Sequence, residues 1–302
     1  MSDPAPQRIR VGSDTAHDSG RPLHLGISTC PNDTFAFAAL LEGRVDTEGL
    51  PLEIDLLDID QLNRGLIAGQ FDLAKVSFNA ALSLGDQVVV LPVGSALGFG
   101  VGPLLLASNP DTSPRCPVPG ERPGLTLCPG EHTTAKWLFD QFYPDTTLVE
   151  HVVFSDIMPR LADGTADFGV CIHEGRFTYE ASGLHRVTDL GELWEQQTRC
   201  PLPLGGLVMR QQHDHALMRR VSQLVSRSLA IALESPETAL PAMRKYAQSM
   251  EDAVLMQHVD LYVNDWTVNL GNTGRAALLE MAQLSEKMRN NQERRPVLSV
   301  LS

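Results

Sequence analysis

The chain of 302 residues contains no apolar run of about 18 residues, the length that a transmembrane helix requires. Its first 22 residues are polar and lack the apolar core of a secretory signal. We therefore expect a cytoplasmic protein without a membrane partner. Because chain termini are often poorly ordered, we predict that residues 1–22 form a disordered extension.

Basic residues are outnumbered by acidic ones. The chain has 24 Lys and Arg against 37 Asp and Glu, which gives a formal net charge of −13. Nucleic-acid binding needs clustered Lys and Arg, so we predict no nucleic-acid partner. An anionic ligand is not excluded, because a few local donors can hold a carboxylate inside an acidic protein.

Paired cysteines and familiar catalytic motifs are absent from the sequence. The five cysteines form no CxxC pair, which predicts neither a disulfide framework nor a metal site. The GxSxG, P-loop, HExxH and Rossmann patterns are missing, and the GxGxG at Gly98–Gly102 precedes a predicted strand rather than a helix. Six histidines lack metal-like or triad-like spacing, and the sequence assigns them no role: His24, His151, His185, His213, His215 and His258.

Short apolar strands alternate with helices along most of the chain. This alternation predicts an α/β protein with parallel-rich sheets. Residues 213–283 are mostly helical by their periodicity. The predicted strands in the first part of the chain are 23–28, 52–57, 71–75, 88–91, 103–107, 125–128, 148–154 and 166–172.

One phrase, LxxGxxD, occurs at residues 66–72 and again at 161–167. Each copy follows a predicted strand and helix and precedes another strand, which indicates one strand–helix–strand unit in each of two lobes. Because ligands in parallel α/β sheets sit at the C-terminal ends of the strands, we expect a ligand cleft between the lobes. The predicted lobes are 23–107 plus 203–302 and 108–202, and the predicted hinge strands are 103–107 and 204–209.

Small polar residues open three predicted helices directly after strands, at Asn32–Thr34, Ser77–Asn79 and His132–Ala135. The free N–H groups and the positive dipole end of such a helix start can bind an anion. The alternative is that these residues are only good caps, with Asn32 or Asp33 capping the first helix. Since ligands sit at the C-terminal ends of parallel strands, we favour a shared site.

Two titratable side chains also follow buried strands. Lys75 suits a ligand carboxylate, although a salt bridge to Asp33 or Glu53 explains it equally well. His173 suits a general base because histidine titrates near neutral pH, although a lone histidine is more often structural. Gly94–Ser95 lies at a third strand end, so these positions are expected to converge.

Seven segments together form a specific pattern: STCPNDTF (28–35), KVS (75–77), GSALGFGVGP (94–103), GEHTTA (130–135), IHEGRFTY (172–179), PLPLG (201–205) and YVN (262–264). The pattern resembles the 1,4-dihydroxy-6-naphthoate synthases of the futalosine route to menaquinone. The resemblance extends in order over residues 23–290. One departure is Thr29, where that family usually has proline.

The resemblance implies a type II periplasmic-binding-protein-like fold and a carbon–carbon lyase without a metal or organic cofactor. The implied reaction converts cyclic dehypoxanthinylfutalosine, a small carboxylate, to 1,4-dihydroxy-6-naphthoate and dihydroxyacetone. In this family the histidine at the position of His173 is the proposed base, and Glu174 is the alternative in this sequence. The ligand positions of the family are Lys75, Val76, Ser77, Thr134 and Ala135, to which the strand and helix ends add Asn32, Gly94, Ser95 and Thr133.

Two other functions fit the same fold. A solute-binding receptor would bind its ligand without turnover, and the missing secretory signal and the histidine at the cleft disfavour it. Chorismate dehydratase shares the fold, but the segments at 30–35 and 172–179 disfavour that enzyme. The sequence does not fix the oligomeric state, for which a homodimer is one option.

Overall fold

The computed structural model describes residues 7–12, 21–173, 175–246, 251–288 and 297–302. Its strands are β1 Gln7–Val11, β2 Leu23–Ser28, β3 Leu52–Leu57, β4 Leu73–Ser77, β5 Val88–Val90, β6 Ala96–Gly98, β7 Leu104–Ala107, β8 Leu125–Cys128, β9 Leu148–His151, β10 Phe168–Cys171, β11 His185–Asp189, β12 Leu202–Arg210 and β13 Ser299–Val300. Its helices are α1 Pro31–Leu41, α2 Ile59–Ile67, α3 Phe78–Leu84, α4 Thr134–Phe142, α5 Phe154–Ala162, α6 Gly175–Thr178, α7 Leu190–Thr198, α8 His215–Glu234, α9 Leu240–Tyr246, α10 Asp252–Tyr262, α11 Asp265–Val268 and α12 Gly271–Met288. Within these described ranges, no helix is both long and apolar enough to cross a lipid bilayer.

The larger sheet has the strand order β1-β3-β2-β4-β12-β5-β13, and β6 pairs with the first half of β12. β2 is parallel to both β3 and β4, whereas β12 is antiparallel to β4 and β5. α1 packs against α8, α9 and α10, and every residue of α1 is buried. A helix that is apolar almost all round is stable only inside a core, so this packing fixes the start of α1 beside the C-terminal end of β2.

The smaller sheet has the strand order β11-β7-β10-β8-β9. β8 is parallel to β9 and β10, whereas β7 is antiparallel to β10 and β11. β7 therefore belongs to the smaller lobe, although the predicted boundary had assigned residues 104–107 to the larger one. Because β7 is paired on both edges, it is not a hinge strand. The chain crosses between lobes at residues 99–103, before β7, and returns between α7 and β12.

The prediction of a disordered extension over residues 1–22 is wrong for residues 7–11. These residues form β1, which pairs antiparallel with β3 and covers an edge of the larger sheet. Arg8 fixes the pairing, because its Nε donates to Asp55 Oδ1 at 2.7 Å. The alternation of Ile9 and Val11 with arginines was the available signal for this strand. Residues 1–6 and 13–20 lie outside the described residues.

The repeated LxxGxxD phrase has the same geometry in both lobes. The N–H of Asp72 donates to the carbonyl of His24, and the Asp72 carboxylate accepts from the N–H of His24, both at 2.9 Å. Asp167 makes the same two bonds with Leu125, at 3.0 and 2.7 Å. Each aspartate thus joins its own strand to the start of the neighbouring parallel strand, β2 or β8.

Candidate active site

A cavity that is partly open to solvent is lined by residues of both lobes. The larger lobe contributes the ends of β2 and β4 and the start of α1, and the smaller lobe contributes the start of α4 and the residues after β10. The structure brings together here the predicted site residues Asn32, Lys75, Ser77, Thr133, Thr134, Ala135 and His173. Their roles toward a substrate stay predictions.

Three other predicted contacts do not line the cavity. Val76 alternates with Lys75 and Ser77 along β4, so its side chain lies on the opposite face of the sheet, buried in the core. Gly94 lies behind Lys75, whose Nζ donates to the Gly94 carbonyl at 2.8 Å. Ser95 is fully buried beside it. The structure therefore does not bring these three residues to the cavity, and they support its wall instead.

A buried ion pair forms part of the cavity wall. Lys75 Nζ lies 2.6 Å from Asp33 Oδ1, and Asn32 Nδ2 donates to the same oxygen at 3.0 Å. Of the two salt bridges considered for Lys75, the structure contains the one to Asp33, whereas Glu53 pairs with Arg10. Burial raises the pKa of Asp33, and the adjacent ammonium group opposes that rise. The charge of Lys75 is therefore already paired before any ligand binds.

Neither Asn32 nor Asp33 caps α1, contrary to the prediction. The helix begins at Pro31, and the N-cap is Cys30, which makes no side-chain cap bond. Proline is favoured at the first helical position because the N–H that it lacks has no helical partner there. This start places Asn32 and Asp33 in the first turn of α1. There the Asp33 carboxylate accepts hydrogen bonds from Asn32 and Lys75 instead of capping the helix.

Ser77 ends β4 and precedes α3. Its Oγ accepts a 3.0 Å bond from Asn63 Nδ2, and its N–H donates to Asn63 Oδ1 at 2.9 Å. The Ser77 oxygen already accepts from Asn63, and its own O–H is a donor that it can offer to a ligand. Asn63 is fully buried on α2 and was not identified from the sequence.

The start of α4 offers backbone rather than side-chain donors. Thr133 is the N-cap, and its Oγ1 accepts from the N–H of Lys136 at 3.2 Å. Thr134 Oγ1 donates to the carbonyl of Leu204 at 2.7 Å, a bond between the lobes. Both hydroxyls are used within the protein. The N–H groups of Thr134 and Ala135 have no helical acceptor, so they are what this helix offers to an anion.

His173 follows β10 in a left-handed turn, with a φ of +56° that non-glycine residues rarely adopt. Its ring packs edge-on against Phe154 with centroids 4.8 Å apart, and Nδ1 lies 3.2 Å from Cys30 Sγ. Burial, with a smaller contribution from Lys75, lowers the pKa of His173 to about 4. The imidazole is therefore neutral at physiological pH and able to take up a proton. The rival base, Glu174, lies outside the described residues.

Sequence reasoning missed another histidine of the cavity. His258 lies on α10, is almost fully buried, and has its Nε2 3.1 Å from Asn32 Oδ1. Its ring centroid is 4.4 Å from that of Tyr262 and 6.1 Å from that of His173. No spacing rule identifies it, because the larger lobe brings a late helix back to the first helix. In the part of the chain that the structure describes, no three His, Cys, Asp or Glu side chains are arranged to hold a metal ion.

Two comparisons of sequence bear on the cavity. The profile of a family described as menaquinone biosynthesis matches residues 23–287. A curated 1,4-dihydroxy-6-naphtoate synthase of Thermus thermophilus is 42% identical over 259 residues, which cover 86% of this chain and 92% of that protein. A curated protein of the same name from Streptomyces coelicolor is 40% identical over 267 residues, with 86% and 91% covered.

Solved structures give the same fold. A protein of Archaeoglobus fulgidus superposes with a TM-score of 0.83 at 28% identity, over 90% of this chain and 100% of that one. An alkanesulfonate-binding protein of Xanthomonas axonopodis pv. citri superposes with a TM-score of 0.63 at 12% identity, over 93% and 97%. The second likeness concerns the fold alone, and it confirms the predicted periplasmic-binding-protein-like architecture. With the family profile and both curated relatives covering most of its length, the chain belongs to the menaquinone biosynthesis family, among the 1,4-dihydroxy-6-naphthoate synthases.

Proposed function

We propose that the cavity binds cyclic dehypoxanthinylfutalosine and cleaves it to 1,4-dihydroxy-6-naphthoate and dihydroxyacetone, with His173 as the general base. The observation that carries this proposal is a neutral, half-buried imidazole in the same cavity as the free N–H groups that open α4. A carbon–carbon lyase step that ends in an aromatic diol needs one group to take a proton and others to stabilise developing negative charge.

The low pKa of His173 keeps its imidazole unprotonated, which is the form that a general base needs, and the same shift lowers its intrinsic basicity. With a pKa of about 4, the ring is unprotonated over the whole physiological range, so no fraction of the protein is lost to a charged, inactive form. Its left-handed backbone, with a φ of +56°, turns the chain sharply at the end of β10, which puts the ring at the cavity. Backbone conformations of this kind cluster at functional sites.

The substrate carboxylate is proposed to bind at the start of α4. The N–H groups of Thr134 and Ala135 lack helical acceptors, and the positive end of the helix dipole favours an anion there. The Ser77 O–H lies on the opposite lobe as a further donor. Lys75 supplies positive charge to the wall, but its ion pair with Asp33 makes it a weaker anchor than the resemblance alone implies.

The partner is therefore proposed to be a small carboxylate, and the cytoplasm stays the predicted location.

Two contacts join the lobes beside the cavity. Thr134 Oγ1 donates to the carbonyl of Leu204, and Gly130 lies so close to the Asp60 carboxylate that an added Cβ would collide with it. These contacts join the two lobes around the cavity, as expected for an enzyme that excludes water while it reacts.

The direct test is to incubate the purified protein with cyclic dehypoxanthinylfutalosine and to follow both products by liquid chromatography and mass spectrometry. We expect 1,4-dihydroxy-6-naphthoate and dihydroxyacetone in equal amounts. Binding of the substrate without either product would indicate a receptor. Consumption of chorismate, assayed in parallel, would indicate the chorismate dehydratase alternative. Either result would overturn the proposal.

A further inference from the structure

A chain of hydrogen bonds in the larger lobe fixes the orientation of the Asn32 amide. Lys75 Nζ donates to Asp33 Oδ1 at 2.6 Å, so this oxygen acts as an acceptor. Asn32 faces the same oxygen at 3.0 Å, and only its NH₂ group can donate there. The other amide atom, Asn32 Oδ1, therefore points away from the ion pair and can only accept.

The Asn32 amide in turn fixes the tautomer of His258. Asn32 Oδ1 lies 3.1 Å from His258 Nε2, and a carbonyl oxygen needs a donor, so Nε2 carries the hydrogen. Burial, with a smaller contribution from His173, holds the pKa of His258 well below its ordinary value, so the ring is neutral. A neutral imidazole has one N–H, which leaves a lone pair on Nδ1.

That lone pair is buried and unpartnered. His258 is 1% exposed, it lines the cavity, and its Nδ1 has no hydrogen-bond partner among the described residues. A buried acceptor without a donor is destabilising, and in native proteins nearly all such groups find a partner. No group among the described residues donates to this atom, so the donor must come from whatever fills the cavity, and a bound ligand can supply it.

The surroundings of His258 indicate what kind of donor fits. Its ring centroid lies 4.4 Å from that of Tyr262, 6.1 Å from that of His173 and 6.4 Å from that of Phe177. Walls made of rings suit a flat aromatic ligand better than a flexible triose. An acceptor at the edge of such a wall selects a ring that carries a hydroxyl group.

We propose that His258 Nδ1 accepts a hydrogen bond from a ring hydroxyl of bound 1,4-dihydroxy-6-naphthoate, so that His258 is a specificity-determining residue of the site. This inference rests on the proposed function for the identity of the ligand. A site built to bond a hydroxyl rejects an analogue without it, because the protein acceptor is then left unpaired. The ion pair of Lys75 and Asp33 acts through Asn32 to hold the acceptor in place.

The test compares two ligands and two variants by anaerobic calorimetric titration. The ligands are 1,4-dihydroxy-6-naphthoate and naphthalene-2-carboxylate, which lacks both hydroxyls. His258→Gln keeps a donor for Asn32 but removes the Nδ1 acceptor, whereas His258→Asn carries an amide that can accept near the Nδ1 position. We expect the wild-type protein to prefer the dihydroxy compound. The preference should fall about tenfold (~1.4 kcal/mol) in His258→Gln and be largely kept in His258→Asn.

A spectroscopic measurement on the free wild-type protein tests the tautomer even if the variants do not fold. Nitrogen-15 NMR of histidine-labelled protein should show His258 as neutral, with the hydrogen on Nε2. A hydrogen on Nδ1, or an unchanged preference in folded His258→Gln, would overturn this inference alone. Failure of the wild-type protein both to bind either naphthoate and to form product would instead overturn the proposed function.

Discussion

In the larger lobe the strand that follows the LxxGxxD phrase, β4, runs directly into α3, whereas in the smaller lobe the matching strand, β10, ends in a left-handed turn at His173. The frameworks before these endings agree bond for bond, since Asp72 and Asp167 each join their strand to its parallel neighbour. The repeated unit therefore places one strand end from each lobe at the same cleft. The residues at these strand ends differ: Lys75 and Ser77 lie at the end of β4 in one lobe, and His173, the proposed base, follows β10 in the other.

The two frameworks differ in burial. The side chain of Asp72 is 3% exposed and also binds Arg21 and His213, whereas that of Asp167 is 46% exposed and binds Arg122. At this position of the repeated unit, the larger lobe keeps its carboxylate inside the protein, and the smaller lobe keeps its carboxylate near water. Charge interactions are much stronger where water is excluded, so the same substitution is expected to have unequal effects in the two lobes.

The largest expected difference concerns the ion pair of the larger lobe. Lys75→Met leaves Asp33 buried without its partner, and breaking a buried pair in this way costs about 3–5 kcal/mol. Arg160→Met in the smaller lobe is the matched control, because its pair with Glu150 is partly exposed and is worth at most about 1 kcal/mol. Urea unfolding of both variants measures the two costs. Equal costs would contradict the assigned difference between the lobes.

A smaller difference is expected at the paired aspartates. Asp72→Asn removes a buried charge that bonds Arg21 and His213, and we expect a loss of about 1.5–3 kcal/mol in the free energy of unfolding. Asp167→Asn should cost less than about 1 kcal/mol, because Asp167 is half exposed. Chemical denaturation of each variant gives the values. A larger loss for Asp167→Asn would show that burial does not control the comparison.

The same pair predicts a difference in the acid response. Burial acts to raise the pKa of Asp72, but the bonds from Arg21 and from the His24 N–H outweigh it and lower that pKa below 3.8. A lowered folded-state pKa gives stability that is present above the unfolded value and is lost as the pH falls through the folded value. The wild-type protein should therefore lose stability below about pH 5 more steeply than Asp72→Asn does. Unfolding curves between pH 6 and pH 3 measure both slopes, and parallel slopes would exclude this role for Asp72.

The smallest expected effect concerns the pH dependence of turnover, which we expect to be flat near neutral pH. Because burial lowers the pKa of His173 to about 4, the proposed base stays unprotonated between about pH 8 and pH 5. The acidic limb of kcat/KM should therefore lie near pH 4 rather than near the ordinary histidine value of about 6.5. A pH–rate profile, with circular dichroism at each pH to verify folding, locates that limb. A limb near 6.5 would show that His173 is exposed to water during catalysis.

Much of the fold follows from the sequence because periodicity and turn residues are local signals. The strands at 23–28, 52–57 and 125–128 were predicted with the bounds that the structure gives. The errors lie where tertiary pairing decides. β7 was assigned to the wrong lobe because its partners, β10 and β11, come later in the chain. β1 was missed because a polar strand of five residues is stable only when β3 offers an open edge.

The candidate site was predictable where its residues end strands or open helices. His173, Ser77 and Thr134 were identified because strand ends converge in α/β sheets. Asn63 and His258 were not, because each lies within a helix and reaches the cavity wall only through packing. Burial likewise decides that the Lys75 charge is paired with Asp33, a choice that the sequence left open.

The central claim is that the smaller lobe supplies the base while the larger lobe and the start of α4 hold the ligand. His173→Asn tests it most directly, with a single-turnover assay on cyclic dehypoxanthinylfutalosine and a titration with the product on the same preparation. We expect the rate to fall by about 10²–10⁴-fold, the usual cost of removing a general base, with the product affinity nearly unchanged. A rate close to that of the wild-type protein would contradict the claim, and so would a rate lost only through loss of binding.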